Sequence, residues 1–272
     1  MKRILLALLS CAALQAATIT FTPGTVTSST GTTGAGNGTT NGNSATWTSS
    51  EGWTVTARTY SVNTAGTSAF LAAALQIFDV LNGQALGLGS CNQSPSEAVG
   101  SSNCDNTTGA SITDQWQFDN GNPSGSDARD FLLLTFSQPV SISSLVLLQS
   151  SIIARDTDVD YYFDTTAANS IVANVTTLAT LGAAGFGGVN TNNGDNLQDL
   201  TPGCPCPTRT VTLVANSGVW GLLIAAQAGE SNDFFKINSL TATSAVPEPS
   251  SMALVGFGLV GLGYIARRRR KL

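Results

Sequence analysis

The chain has 272 residues, of which 42% are hydrophobic and only 11% charged, and it contains no histidine. That length can enclose a sizeable core, whereas the missing imidazole excludes Ser-His-Asp, Cys-His and histidine-ligated metal chemistry. Between Ala17 and Val246 stand sixteen of the seventeen acidic residues against five basic ones, Arg58, Arg129, Arg155, Arg209 and Lys236. Such an acidic body repels nucleic acid and anionic headgroups, so no nucleic-acid partner is expected.

Residues 1–16 open with Lys2-Arg3, continue through the apolar run Ile4 to Leu9 and end in small residues before Ala17. This is the three-part pattern of a secretory signal peptide, with cleavage after Ala16. A lipoprotein reading centred on Cys11 has a short apolar stretch before it. Residues 17–245 form the expected ectodomain. Within it, 25–50 is almost wholly Thr, Ser, Gly and Asn, a composition that predicts a flexible loop because it buries too little to offset backbone ordering.

Short β-rich runs follow: Trp53 to Tyr60, Phe70 to Leu81, Trp116 to Phe118, Phe131 to Phe136, Ile142 to Leu148, Val159 to Phe163, Arg209 to Val214, Trp220 to Ala226 and Phe234 to Thr241. Trp53, Val55 and Ala57 alternate with Thr54, Thr56 and Arg58, the period of a half-buried strand. The alanines of Phe70 to Leu81 also permit a short helix. Strands bounded by Gly, Asn, Ser and Pro, without amphipathic helices between them, predict an all-β ectodomain of β-sandwich or jelly-roll type.

Four cysteines remain after the signal peptide: Cys91, Cys104, Cys204 and Cys206. In an oxidising envelope they predict two disulfides with three pairings open, and Cys204-Pro205-Cys206 closes poorly on itself. Zinc is the alternative, weakened by the spacing and the lack of His. Asp156, Asp158 and Asp160 alternate, with Asp164 four further on. An extended backbone puts such carboxylates on one face, where water, Arg155 or a cation must relieve their repulsion. The two readings are a calcium site, although Tyr161 and Ala167 occupy the glycine and glutamate positions of an EF-hand loop, and a solvated acidic sheet edge. No other cofactor is expected. Asp119, Asp130 or Glu230 could serve a histidine-free glycoside hydrolase, and Trp47, Trp53, Trp116 and Trp220 could stack on sugars. No spacing singles out a carboxylate pair, and the expectation is a non-enzyme with no catalytic residues.

Residues 246–272 begin Val246-Pro247-Glu248-Pro249, continue through an uncharged stretch and end Arg267-Arg268-Arg269-Arg270-Lys271. Met252 to Ala266 reaches about 22 Å as a helix, short of a hydrocarbon core of about 30 Å, so a transmembrane helix here needs local thinning and snorkelling arginine stems. The basic cluster stops on the cytoplasmic side and puts the acidic body across the membrane. Gly256-Phe257-Gly258-Leu259-Val260-Gly261 fits a dinucleotide fingerprint by letters only, since no βαβ unit can follow.

Pro247-Glu248-Pro249, the short glycine-rich span and the arginine cluster together resemble the PEP-CTERM sorting signal of exosortase-dependent bacterial surface proteins. The ectodomain resembles members of that group in Trp53-Thr54-Val55-Thr56-Ala57, Leu86-Gly87-Leu88-Gly89, Gln117-Phe118-Asp119-Asn120, Arg129 to Phe136, Pro139-Val140 and Asp156 to Asp160. The resemblance implies exosortase as a partner, processing near Pro247 to Pro249, and membrane anchoring followed by display at the cell surface or in the extracellular matrix. The implied role is structural or interactive, among exopolysaccharide; a carbohydrate-binding module on the same anchor is the alternative.

Overall fold

The computed structural model describes residues 16–22, 26–30, 40–42, 44–63, 67–78, 87–91, 118–119, 128–149, 157–167, 171–193, 208–214, 216–228, 234–244, 256–259, 261–262 and 267. Their strands are β1 (Ala17–Thr20), β2 (Val26–Thr30), β3 (Thr40–Gly42), β4 (Ser44–Thr48), β5 (Thr54–Asn63), β6 (Leu71–Phe78), β7 (Gly87–Cys91), β8 (Phe118–Asp119), β9 (Ala128–Gln149), β10 (Val159–Asp164), β11 (Asn190–Asn192), β12 (Thr208–Thr212), β13 (Val219–Ala226) and β14 (Phe234–Ser244). All belong to one antiparallel sheet with the order β11-β10-β13-β9-β14-β7-β6-β5-β4-β2, to which β1 and β8 add on β14, β12 on β9 and β3 on β6. The mostly-β expectation holds, and Leu71–Phe78 is strand rather than helix.

Strand β9 organises this sheet. Its first half pairs with β5 on one edge and β13 on the other, and its second half with β14 and β12. The sequence predicts two strands here, Phe131 to Phe136 and Ile142 to Leu148; the chain instead runs through as one strand of 22 residues. Pro139 does not break it because residues 137–139 fall between the ladders. The β5 pairing stops at Phe136, and the pairings of β13 and β14 meet β9 again at Val140. A missing N–H costs nothing where no ladder bond is due.

Alternation along β9 and β13 feeds two cores. Leu132, Leu134, Phe136, Leu222 and Ile224 join the larger one with Trp47, Trp53, Val55, Ile142, Leu145 and Leu240. Phe131, Leu133, Leu223 and Ala225 join a smaller one on the other face. Burial on both faces explains why Phe131 to Leu134 of β9 and Leu222 to Ala226 of β13 read as unbroken apolar runs, whereas β5 alternates with polar residues near Trp53. The smaller core is roofed by residues 171–186, which include the 3-10 segment Leu178–Ala184 and contribute Ile171, Leu181 and Phe186. Phe70 meets Phe131 edge-on at 5.0 Å and Tyr60 at 6.0 Å. Each such fully buried large side chain contributes roughly 1.5–3 kcal/mol relative to exposure.

The Thr/Ser/Gly/Asn tract departs from expectation. Where a flexible loop was predicted over 25–50, β2, β3 and β4 form. For β4 the reason is a single anchor: Trp47 is fully buried and packs edge-on against Phe21 at 5.0 Å, and Ala45 shares its inward face. The flanking polar residues then need only satisfy backbone groups, which the β4–β5 ladder does. That hairpin turns at Gly52, whose φ of +85° suits glycine. Glycine is required at Gly87 for another reason, since a Cβ there would lie 2.9 Å from the carbonyl oxygen of Ile237 on β14.

Candidate functional site

The acidic segment singled out in the sequence lies on β10 and the two residues preceding it. Val159, Tyr161 and Phe163 turn toward the larger core. Asp158, Asp160 and Asp164 therefore share the opposite face with Tyr162, which packs on the smaller core. All three carboxylates are buried, so this is not a solvated edge. Their charge is met by residues remote in sequence. Arg129 at the start of β9 donates from Nη2 to Asp160 Oδ2 at 2.7 Å, with 4% and 5% of the two side chains exposed. Its Nε donates to the carbonyl of Ala226 at 2.9 Å, and its guanidinium carbon lies 4.9 Å from the centre of the Phe131 ring.

The rest of Asp160 is equally well supplied: Thr191 Oγ1 donates to Oδ1 at 2.6 Å and the Ala228 N–H to Oδ2 at 3.1 Å. Arg209 on β12 donates from Nη1 to the Thr157 carbonyl at 2.7 Å and to Asp158 Oδ1 at 3.3 Å, and from Nη2 to Asn192 Oδ1. Asp164 Oδ1 accepts from both the N–H and the hydroxyl of Thr166 at 2.7 Å, a turn closed on itself. The network thus ties β9, β10, β11, β12 and the end of β13 together. Buried charges in such a network are tolerable because every pair is also hydrogen-bonded.

For calcium, the arrangement supplies little. Asp158 and Asp160 face arginines, Asp164 serves its own turn, and among the described residues no three acidic or cysteine side chains gather as a metal-holding group. Asp156 and Arg155 lie outside the described residues, as do Cys104, Cys204 and Cys206; Cys91 ends β7. Three of the four cysteines in the disulfide expectation therefore lie outside those described. Of the carboxylates considered for sugar hydrolysis, Asp130 is buried within β9, Asp119 lies on β8 opposite Phe234, and Glu230 is outside the described residues. Trp47 and Trp53 are buried, so neither presents a stacking face; Trp220 is half-buried and Trp116 lies outside the described residues.

Two features escaped the sequence reading. Arg129 and Arg209 carried no local signal, since their partners stand 31 and 51 residues away. Tyr60 and Tyr162 are the other. Burial pushes the Tyr60 phenol above its ordinary 10.0, opposed by Arg58. Burial raises Tyr162 too, with the Asp160 charge adding to the effect and Arg129 opposing it.

The ion pair predicts strong non-additivity. Arg129→Met and Asp160→Leu should each cost about 3–5 kcal/mol in urea unfolding, because each strands one buried charge, and the double variant should cost much less than their sum. Additive losses would mean that the two residues act independently. The tyrosines predict alkaline sensitivity. A phenol that keeps its proton when folded but ionises when unfolded leaves stability intact below about pH 10 and erodes it as pH rises through the raised folded value. Thermal midpoints measured upward from neutral pH should fall less steeply for Tyr60→Phe/Tyr162→Phe than for the native chain; parallel curves would reject the assignment.

The C-terminal segment begins where the domain stops. Ser244, the last residue of β14, is buried; its N–H donates to Glu51 Oε2 at 3.1 Å and its Oγ accepts from Gln138 Nε2 at 2.7 Å. Residues 256–259, 261–262 and 267 are helical and exposed, so Arg267 lies on helix and the glycines of the dinucleotide-like string are not in a phosphate loop. Pro247, Glu248, Pro249, Arg268, Arg269 and Arg270 lie outside the described residues. Among the described residues no helix is long and apolar enough to cross a membrane. No curated protein and no solved structure matches the chain. The family model of the PEP-CTERM protein-sorting motif matches residues 245–271. The chain therefore carries, directly after the last strand of its β domain, a PEP-CTERM sorting motif.

Proposed function

We propose that the protein is exported, held in the membrane through its C-terminal segment, processed by an exosortase and displayed at the cell surface or in the extracellular matrix as a structural or interaction protein among exopolysaccharide. The observation that carries this reading is the sorting motif over 245–271. The signal-peptide pattern of residues 1–16 agrees with export, and the basic cluster at the other end agrees with a cytoplasmic stop. Among the described residues the two cores are built within 17–242.

The ectodomain is read as a sandwich-like scaffold without catalytic residues or a cofactor. Its most polar buried cluster is spent on internal pairs, which leaves those carboxylates poorly placed to act on a substrate. A sugar-binding role remains the second reading; saturable binding of the purified ectodomain on a glycan array would favour it over a purely structural one.

Replacing Pro247-Glu248-Pro249 by three alanines tests the sorting step. Export should continue, and a form retaining Arg267 to Lys271 should accumulate in the membrane fraction, as read by intact mass. Normal processing of that variant would overturn the assignment of exosortase as the partner.

A further inference from the structure

The first and last strands of the domain are neighbours. Ala17 pairs with Ala242 and Thr20 with Ser239, and the Phe21 N–H continues the ladder to the carbonyl of Asn238 at 2.8 Å. Strand β1 is firmly seated. Ala17, Ile19 and Phe21 enter the larger core, Phe21 packs on Trp47, and Trp47 Nε1 donates to the Thr22 carbonyl at 3.3 Å. Along one edge β14 is paired with β9 up to Ser244. Its other edge is covered in succession by β8, β7 and β1, the last of these over Ser239 to Ala242. The sorting motif starts at residue 245.

A protease takes its substrate as an extended segment whose backbone groups pair with the enzyme. A strand already paired on both edges offers no such groups until it opens locally. We propose that β1 is a guard strand for the sorting step. It closes the far edge of β14 just before the motif, so that processing is confined to residues from 245 onward. Without it, Ser239 to Ala242 would form an open strand edge leading toward the motif. This inference rests on the exosortase reading and adds the residues that set the boundary of processing.

The test uses the full chain in cells that process it, comparing the native protein with Ile19→Asp, which puts a charge into the core beneath β1, and with Ile19→Val. Intact mass should place the processed end of the native protein and of Ile19→Val at or beyond residue 245. In Ile19→Asp, ends should spread into 239–244. Thr18 and Thr241 face each other with their hydroxyls 3.1 Å apart, so adding Thr18→Cys/Thr241→Cys to Ile19→Asp should staple β1 back and restore the native end. Hydrogen exchange on the same proteins separates the two ideas. If no form is processed, the exosortase reading fails and the guard with it; if all forms are processed to one end although the Ser239 to Ala242 amides exchange faster in Ile19→Asp, the guard alone is overturned. A native end inside β14, or unchanged exchange and unchanged ends in Ile19→Asp, overturns it.

Discussion

Strand β9 is paired on both edges along both of its halves, and the rest of the architecture follows from that constraint. A strand of 22 residues that must satisfy β5 and β13 first, then β12 and β14, cannot shift register in one half without disturbing the other. Its inward residues on either side of the Pro139 interruption enter the same large core, so the two parts of the sheet share one apolar interior. The outward residues of its first half require a second cover, and the segment 171–186 supplies it. Hydrogen bonding, burial and chain order therefore converge on one element.

The buried charge network belongs to the same logic. Arg129 stands at the start of β9 and reaches across to β10 and to the end of β13, where it satisfies Asp160 and the Ala226 carbonyl together. Asp158 and Asp160 are spent on pairing with arginines from other strands of the sheet.

How much of this was legible in the sequence varies by residue. The alternation of Asp158 and Asp160 placed both on one face, as observed, because strand periodicity is local. Their arginine partners were not legible, since that pairing depends on strand order. Phe131 to Phe136 and Ile142 to Leu148 were legible as strands, but their joining through Pro139 into one strand and the burial of the first run on both faces depend on the ladders and were not. Composition misled over 44–48, where Trp47 outweighs its polar surroundings by anchoring β4 against Phe21. The C-terminal sorting motif was legible because it is a short linear pattern, independent of fold.

Domain and address meet at Ser244, where the last buried strand gives way to the first residue of the sorting motif. With one continuous strand running through it, the sheet should open as a single cooperative unit up to that point. Native-state hydrogen exchange on the β9 amides measures this most directly. Amides of Leu132 to Leu134 and of Leu145 to Leu147 should exchange with the same, global free energy of opening. Two distinct free energies, one for each half, would contradict it and divide the sheet into separate units at Pro139.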